Sequence, residues 1–230
     1  MTGFLYIVAT PIGNLEDITL RALRILKEID LILVEDSRVT KKLLMHYGIN
    51  KSILTYHQHS PISVKNRIVS ELSSGKNLAL VSDAGTPGIS DPGNELIDFV
   101  LQSLPDAKII PIPGASAISA SLSVCGLNVN KFVFLGFLPK KKRKKLFAWF
   151  KEGNLSTGSR RGIAFAFYES PKRILKTLDF LQEEFGSDKK VFIARELTKL
   201  HESLYRGTIE KVRNILEKER IRGEIVVVVD

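Results

Sequence analysis

Two short segments bring together residue types that could do chemistry. "EDSR", residues 35–38, places two carboxylates, a hydroxyl and a guanidinium within four residues, directly after an apolar run. "SDAGTPGISDPG", residues 82–93, follows another apolar run and holds three glycines, two prolines and two aspartates. Carboxylates take up protons or face cations, and glycines let a backbone approach a ligand closely. Both segments are therefore candidates for a binding or catalytic site.

The two candidates differ in strength. Residues 82–93 form a longer connection than the ~2 to 6 residues usual between a strand and a helix, which favours a ligand-binding loop. "EDSR" has a simpler alternative, because Asp36 or Ser37 could cap a helix and leave Arg38 exposed. Both readings of "EDSR" stay open at this point.

Two further loops have a similar composition. In "ATPIGN", residues 9–14, Pro11 stiffens the chain and Gly13 permits an unusual backbone angle. In "PIPGASAISA", residues 111–120, Gly114 and a run of small residues suit either close approach to a ligand or packing against a sheet. Neither the dinucleotide fingerprint nor the Walker-type phosphate loop occurs in the chain.

All four loops offer backbone groups, hydroxyls and carboxylates but few basic side chains. A phosphate-rich cofactor would favour lysine or arginine. Carboxylates instead favour a cationic or zwitterionic ligand, such as S-adenosylmethionine with its sulfonium and ammonium charges.

The elements that position these loops follow from the hydrophobic pattern. Apolar runs of strand length alternate with amphipathic helical stretches in the first half of the chain, and each candidate loop follows such a run. This alternation predicts a mostly parallel sheet flanked by helices, with the loops at the carboxyl ends of its strands.

The pattern changes after residue 130. The strands "KVFIARE" and "ESLYRGT" follow one another without a helix between them, which indicates a mixed sheet. We predict a two-domain α/β fold with an N-terminal domain at 1–115, a connecting segment at 116–145 that includes a basic loop at 138–145, and a C-terminal domain at 146–230.

The net charge of +9 is concentrated in one place. Residues 1–139 hold 12 basic and 12 acidic residues, whereas Lys140 to Lys145 are six consecutive cations. Such a run suits RNA, DNA or anionic lipid, and it also fits a solvated loop or, alone, a nuclear import signal. No apolar run is long enough for a membrane span, so we expect a soluble, intracellular protein.

Cysteine and histidine give little indication of chemistry. Cys125 lies among small and apolar residues and is predicted to be a packed thiol. His57 and His59 lack the further ligands of a familiar metal site, so we expect no metal.

Several motifs together resemble a known family. They run in order along nearly the whole chain: "LYIVATPIGNLEDITLRAL", "VEDSR", "LVSDAGTPGISDPG", "PIPGASA", "FYESPKRI", "ARELTKLHE" and "RGEIVVVV". The chain is similar to the ribosomal RNA small subunit methyltransferase I family of the tetrapyrrole methylase superfamily. The resemblance implies a cytoplasmic, homodimeric enzyme that uses S-adenosylmethionine to methylate the ribose 2′-hydroxyl of a decoding-centre cytidine in 16S ribosomal RNA, alone or in the 30S subunit. It also implies a cofactor cleft between two α/β domains.

The resemblance also implies which residues contact the cofactor. Thr86 stands where the tetrapyrrole enzymes have the aspartate of a Gly-Asp-Pro motif, and Ser37 stands where threonine is expected. The implied cofactor contacts are Pro11, Gly13, Ala84, Gly85, Thr86, Ile89, Ser116, Ala117, Tyr168 and Glu169.

Asp36 and Asp83 are the candidates for a general base that deprotonates the ribose hydroxyl, and Arg38 is a candidate to hold a phosphate or orient a carboxylate. For RNA binding we predict a mobile loop at Lys140, Lys141, Lys142, Arg143, Lys144 and Lys145, with Lys199 as a further contact and His201 as a possible neighbour.

Three alternatives remain. One is a small-molecule, tetrapyrrole-type methyltransferase. Another is a non-catalytic RNA-binding protein. The third is membrane association, with Phe147, Trp149 and Phe150 as apolar anchors.

Overall fold

The computed structural model describes residues 2–152 and 163–230, with the side chains of 149–152 excluded. The chain divides into two compact units, Met1–Ser116 and Ala117–Asp230. None of the helices in the described ranges is long and apolar enough to cross a membrane.

Unit 1 contains a parallel sheet of five strands. Their order across the sheet is β3-β2-β4-β1-β5, and every pairing is parallel. The strands are β1 (Phe4–Val8), β2 (Leu31–Val34), β3 (Ser52–Thr55), β4 (Leu78–Val81) and β5 (Lys108–Ile112). The predicted parallel sheet is confirmed.

Four helices cover both faces of this sheet. They are α1 (Leu20–Glu28), α2 (Ser37–His46), α3 (Ile62–Ser73) and α4 (Asn94–Ser103). Successive strand residues point to opposite faces, so Val8 packs with α1 and α2 while Leu5 packs with α3 and α4. The loops that follow the strands are left together at one edge.

Unit 2 contains a mixed sheet in the order β6-β7-β10-β8-β9, in which β6 and β7 are parallel and the other neighbours are antiparallel. The strands are β6 (Lys131–Phe137), β7 (Ile163–Glu169), β8 (Lys190–Arg195), β9 (Ser203–Thr208) and β10 (Ile225–Val229). The helices are α5 (Ala117–Val124), α6 (Arg143–Glu152), α7 (Ile174–Phe185) and α8 (Ile209–Leu216). The predicted mixed sheet is also confirmed.

The two faces of this sheet carry separate cores. One packs against α7, α8 and Phe147 of α6, and the other packs against α5 and Cys125. The thiol of Cys125 is buried, as predicted. Phe147 is fully buried among Phe165, Phe180 and Phe185, so it is not available as a membrane anchor. The side chains of Trp149 and Phe150 lie outside the description.

The segment predicted to connect two domains is instead part of unit 2. Within 116–145, α5 covers one face of the second sheet, β6 is its edge strand, and α6 begins at Arg143. The apolar side of α5 and the strand pattern of β6 find their partners in β7 and β10, which lie far along the chain. A local reading of the sequence could not detect those partners.

Candidate functional site

The carboxyl edge of the first sheet contains a topological switch point. β1 and β4 are neighbours, but the chain leaves β1 towards β2 on one side and leaves β4 towards β5 on the other. In open α/β sheets the crevice at such a point is the usual place for a ligand. The loops after β1 and β4 meet there.

Backbone hydrogen bonds join these two loops. Thr10 N–H donates to the Gly85 carbonyl at 2.9 Å, and Gly85 N–H donates to the Thr10 carbonyl at 3.0 Å. Gly85 has a φ of +83°, and a Cβ placed on it would lie 3.3 Å from Ile12 Cγ2. A glycine therefore suits this position in both backbone conformation and space.

The loop after β5 joins the same assembly. A Cβ added to Gly114 would come within 2.9 Å of Ala9 Cβ, so the two backbones approach closely. The hydroxyl of Thr86 donates to the Ala115 carbonyl at 3.2 Å. Three loops thus form one connected rim of backbone groups and small side chains.

Most of the predicted cofactor residues lie on this rim. Those on the loops after β1, β4 and β5 are Pro11, Gly13, Ala84, Gly85, Thr86, Ile89 and Ser116. The other three belong to unit 2, where Ala117 begins α5 and where Tyr168 and Glu169 end β7.

The predicted catalytic carboxylates are neighbours. Asp36 N–H donates to Asp83 Oδ1 at 3.0 Å, which links the end of β2 to the loop after β4. Asp36 also caps α2, because its carboxylate accepts from Arg38 N–H at 2.8 Å and pairs with the Arg38 guanidinium at 2.6 Å. The capping reading of "EDSR" is confirmed, and Arg38 is exposed.

The ion pair makes Asp36 a poor base. Hydrogen bonds from the Arg38 side chain and then from its backbone lower the pKa of Asp36 to about 2. A carboxylate of such low basicity gains little driving force from accepting a proton near neutral pH.

Glu35 has the opposite property. Partial burial raises its pKa, repulsion from Asp83 and Asp36 raises it further, and His57 opposes these effects. A raised pKa improves a carboxylate as a general base. Sequence reasoning passed over Glu35 within "EDSR", although its position directly after a buried strand placed it at the same edge.

The end of β7 holds a buried ionic cluster. The side chain of Glu169 is fully buried, and its carboxylate accepts from Ser170 N–H and Thr177 Oγ1 at 2.7 Å each and pairs with Arg173 at 2.6 Å. A second guanidinium, that of Arg143, lies 3.9 Å away. These partners hold the carboxylate that was predicted to contact the cofactor.

Tyr168, beside Glu169, has a different environment. Its ring is partly exposed and lies 5.0 Å from the ring of Phe134 and 5.3 Å from that of Phe137, measured between centroids. It is the more accessible of the two predicted contacts at the end of β7.

The basic run is only partly a loop. Lys140 to Lys142 precede α6, and the next three cations form its first turn. Arg143 points inward and is 16% exposed, with Nε donating to the Pro139 carbonyl at 2.9 Å and Nη1 donating to Thr177 Oγ1 at 3.1 Å. Arg143 is thus largely held by the protein, whereas the five lysines are exposed, and RNA contact by the run stays a prediction.

Lys199 is also held by the protein. Its ammonium donates to Glu196 Oε1 at 2.8 Å and to Glu224 Oε2 at 3.0 Å. Partial burial would lower the pKa of Lys199, but these two carboxylates outweigh it and raise the pKa. Glu196 and Thr198 adopt left-handed backbone angles, which are rare for side chains of their kind.

His57 and His59 lie exposed in the loop after β3, with ring centroids 6.3 Å apart. Within residues 2–152 and 163–230 they join no group of three potential metal ligands.

Comparison with known sequences identifies relatives along the whole chain. A family model of tetrapyrrole (corrin/porphyrin) methylases matches residues 4–213. A protein of Thermotoga maritima named ribosomal RNA small subunit methyltransferase I is 44% identical over 227 residues, covering 98% of this chain and 97% of the relative. A protein of the same name from Halalkalibacterium halodurans is 43% identical over 228 residues, covering 99% and 76%.

Solved structures share the fold at lower identity. The methyltransferase CobJ is 17% identical, with a TM-score of 0.69 over 99% of this chain and 94% of its own. A uroporphyrin-III C-methyltransferase from Thermus thermophilus, complexed with S-adenosylhomocysteine, is 18% identical with a TM-score of 0.66 over 99% and 97%. These likenesses extend over both units.

Proposed function

Since the chain belongs to the ribosomal RNA small subunit methyltransferase I family of the tetrapyrrole methylases, we propose that it transfers a methyl group from S-adenosylmethionine to small-subunit ribosomal RNA. The acceptor we propose is the ribose 2′-hydroxyl of a cytidine in the decoding centre. The observation that carries the proposal is the 44% identity to a relative named for this RNA, over nearly the full length of both chains.

The rim at the switch point fits the cofactor. Gly85 and Gly114 bring backbone close to the crevice, where a side chain would meet Ile12 or Ala9. Glu35, Asp36 and Asp83 supply carboxylates at the same edge. The guanidinium of the nearby Arg38 is paired with Asp36. Carboxylates favour the sulfonium and ammonium groups of S-adenosylmethionine. The fold neighbour that carries S-adenosylhomocysteine supports the same choice.

We assign the general base to Glu35. When bound, the cofactor supplies an electrophilic methyl group, and the protein must align the ribose oxygen with that methyl at about 3 Å. Transfer would form a C–O bond to the ribose oxygen and break the S–CH3 bond, with S-adenosylhomocysteine as the leaving group, and the hydroxyl proton would pass to the Glu35 carboxylate. The raised pKa of Glu35 makes it a stronger acceptor than Asp36, whose pKa is about 2. Asp83 acts as a positioning residue, because its carboxylate fixes the backbone of Asp36 beside Glu35.

The exposed lysines before and within α6 support an RNA substrate. Five cations within six residues attract a polyanion and make its binding depend strongly on salt. The lysines suit a long polyanion such as RNA, and the relatives named for ribosomal RNA favour it over the small-molecule alternative.

We also propose a cytoplasmic homodimer. β6 is an edge strand, and it exposes Phe132 and Phe137 by 47% and 60%. Exposed aromatic rings on an unpaired strand edge suit coverage by a second copy. Analytical ultracentrifugation should give a dimer for the wild type and a monomer for the double variant Phe132→Ser, Phe137→Ser.

The function is tested by mapping ribose methyl groups on small-subunit RNA from a strain that lacks the gene. One 2′-O-methylcytidine should disappear and return when the wild-type gene is supplied. Supplying Glu35→Gln should restore it poorly. An unchanged methylation map in the deletion strain would refute the proposal.

A further inference from the structure

An open cavity of about 630 Å³ lies in unit 2. It is bounded on one side by residues 140–144, which lead into the first turn of α6, and on the other by α7 and the residue before it. Six basic residues and the ring of Phe180 line it. The basic residues are Lys140, Lys142, Arg143, Lys144, Arg173 and Lys176. Its volume falls in the range of ~300 to 1,000 Å³ that is typical of small-ligand sites.

The charges around this cavity are only partly compensated. Arg143 and Arg173 share the buried Glu169 carboxylate beneath it. The four lysines form no ion pair within the described residues. Because crowded like charges repel one another, an anion that enters between them relieves an unfavourable interaction. The cavity is therefore suited to a phosphate.

The basic run is divided between two cavities. Lys140, Lys142 and Lys144 face the one just described, whereas Lys141 and Lys145 line a second cavity beside Val133 and Leu135. Arg143 lines the first cavity, where its guanidinium donates hydrogen bonds to the Pro139 carbonyl and Thr177 Oγ1. Lys142, with a φ of +64°, lines both cavities. The run is thus an ordered arrangement rather than a uniform patch of charge.

Phe180 adds an apolar wall. It lies one helical turn after Lys176 on α7, and its ring packs against Phe147 at 5.6 Å between centroids. A cationic groove beside an aromatic ring is the combination by which proteins bind single-stranded nucleic acid, since lysines contact the phosphate and the base packs on the ring.

We infer that this cavity binds one nucleotide of single-stranded RNA, with its phosphate on the lysines and its base against Phe180. The inference rests on the proposed function for RNA as the substrate. It adds Lys176 and Phe180 to the predicted RNA contacts, and Arg143 lines the same cavity.

The phosphate contact is tested with Lys176→Gln, using Lys190→Gln as the matched control. Lys190 is an exposed lysine at the start of β8, and the strand register puts it at the opposite end of the sheet from Glu169. Binding of oligouridylate is measured between about 50 and 200 mM salt. Lys176→Gln should weaken binding about three- to tenfold and reduce the salt slope by about 0.7, while Lys190→Gln leaves both unchanged.

The base contact is tested with Phe180→Leu, using Phe99→Leu as the control, since Phe99 is a half-buried ring in unit 1. Phe180→Leu should weaken binding about fivefold without changing the salt slope, because no charge is lost. Cofactor affinity, measured by calorimetry, should match the wild type in all four variants and so verify that they are folded.

The outcomes separate the two proposals. If the wild type binds oligouridylate but Lys176→Gln and Phe180→Leu behave like their controls, the cavity is not an RNA site and the proposed function stands. Equal losses in Lys176→Gln and Lys190→Gln would mean diffuse attraction and would also overturn the inference. Wild-type protein that binds the cofactor but no RNA would overturn both proposals.

Discussion

Thr10 and Gly85 exchange two backbone hydrogen bonds, of 2.9 and 3.0 Å, and so join the loops after β1 and β4. The pair lies at the switch point, where most of the predicted cofactor residues lie. The backbone there is fixed before any ligand binds, which reduces the ordering cost of binding.

Replacing Gly85 with alanine should weaken cofactor binding more than it weakens the fold. The substitution places a Cβ at a φ of +83° and 3.3 Å from Ile12 Cγ2, which costs about 1–2 kcal/mol in backbone conformation. Gly48→Ala is the matched control, because Gly48 has a φ of +62° and open space around it. It lies just after the C-terminus of α2, whereas the candidate site lies at the N-terminus of that helix. Urea unfolding should give similar losses for both, whereas calorimetry should give weaker S-adenosylmethionine binding for Gly85→Ala alone. If Gly85→Ala and Gly48→Ala bound S-adenosylmethionine with equal affinity, a role of the loop after β4 in cofactor binding would be contradicted.

Glu35→Gln should lower kcat about 100-fold and leave cofactor affinity unchanged, because the amide cannot accept the hydroxyl proton. In the wild type, activity should rise with pH through the raised pKa of Glu35, since the base must be ionised. A pH profile of the variant without that rise supports the assignment. An unaltered profile would assign the base to another residue.

The same carboxyl gives an opposite effect on stability. The pKa of Glu35 is raised in the folded state. The contribution of this carboxyl to the free energy of unfolding is therefore present below the unfolded pKa of 4.5 and is lost as pH rises through the folded pKa. Glu35→Gln should therefore unfold at higher urea than the wild type at neutral pH, and the difference should shrink near pH 4.

Glu169→Gln should destabilise unit 2. The substitution leaves Arg143 and Arg173 without their shared carboxylate, which we expect to cost about 2–3 kcal/mol because the guanidinium groups are largely buried. Glu183→Gln, an exposed change on α7, is the control and should cost almost nothing. Cofactor affinity below the melting range should stay close to the wild type. A large loss of that affinity would instead support the predicted contact between Glu169 and the cofactor.

Lys199→Gln should affect stability rather than RNA binding. Lys199 joins Glu196 to Glu224, and losing it should cost about 1 kcal/mol. Although partial burial opposes the effect, hydrogen bonds from Lys199 and the Glu224 backbone lower the pKa of Glu196, so this contribution is lost as pH falls through the folded value. The difference between wild type and variant should therefore be largest near neutral pH. A reduced salt slope for RNA binding in the variant would restore Lys199 as an RNA contact.

The sequence predicts the fold and the edge that carries the site because both depend on local patterns. The apolar strands and glycine-rich loops are each continuous segments, and parallel strands bring their following loops to one edge. The placement of Pro11, Gly85 and Ser116 follows from that rule.

Features that depend on distant partners could not be predicted. Arg143 looks like one more cation in a basic run, and its inward orientation depends on Glu169 and Thr177, which come from β7 and α7. The raised pKa of Glu35 depends on burial and on Asp83, which enters from another loop. The cavity beside Phe180 likewise exists only once α7 packs against the segment before α6.

The central claim is tested most directly by incubating the purified protein with S-adenosylmethionine and small-subunit RNA, free or in 30S subunits, taken from a strain that lacks the gene. Mass spectrometry of the digested RNA should find one new 2′-O-methylcytidine, absent when Glu35→Gln replaces the wild type for the same short incubation. A methyl group on a base, or no transfer to either form of the RNA by protein that binds the cofactor, would contradict the account.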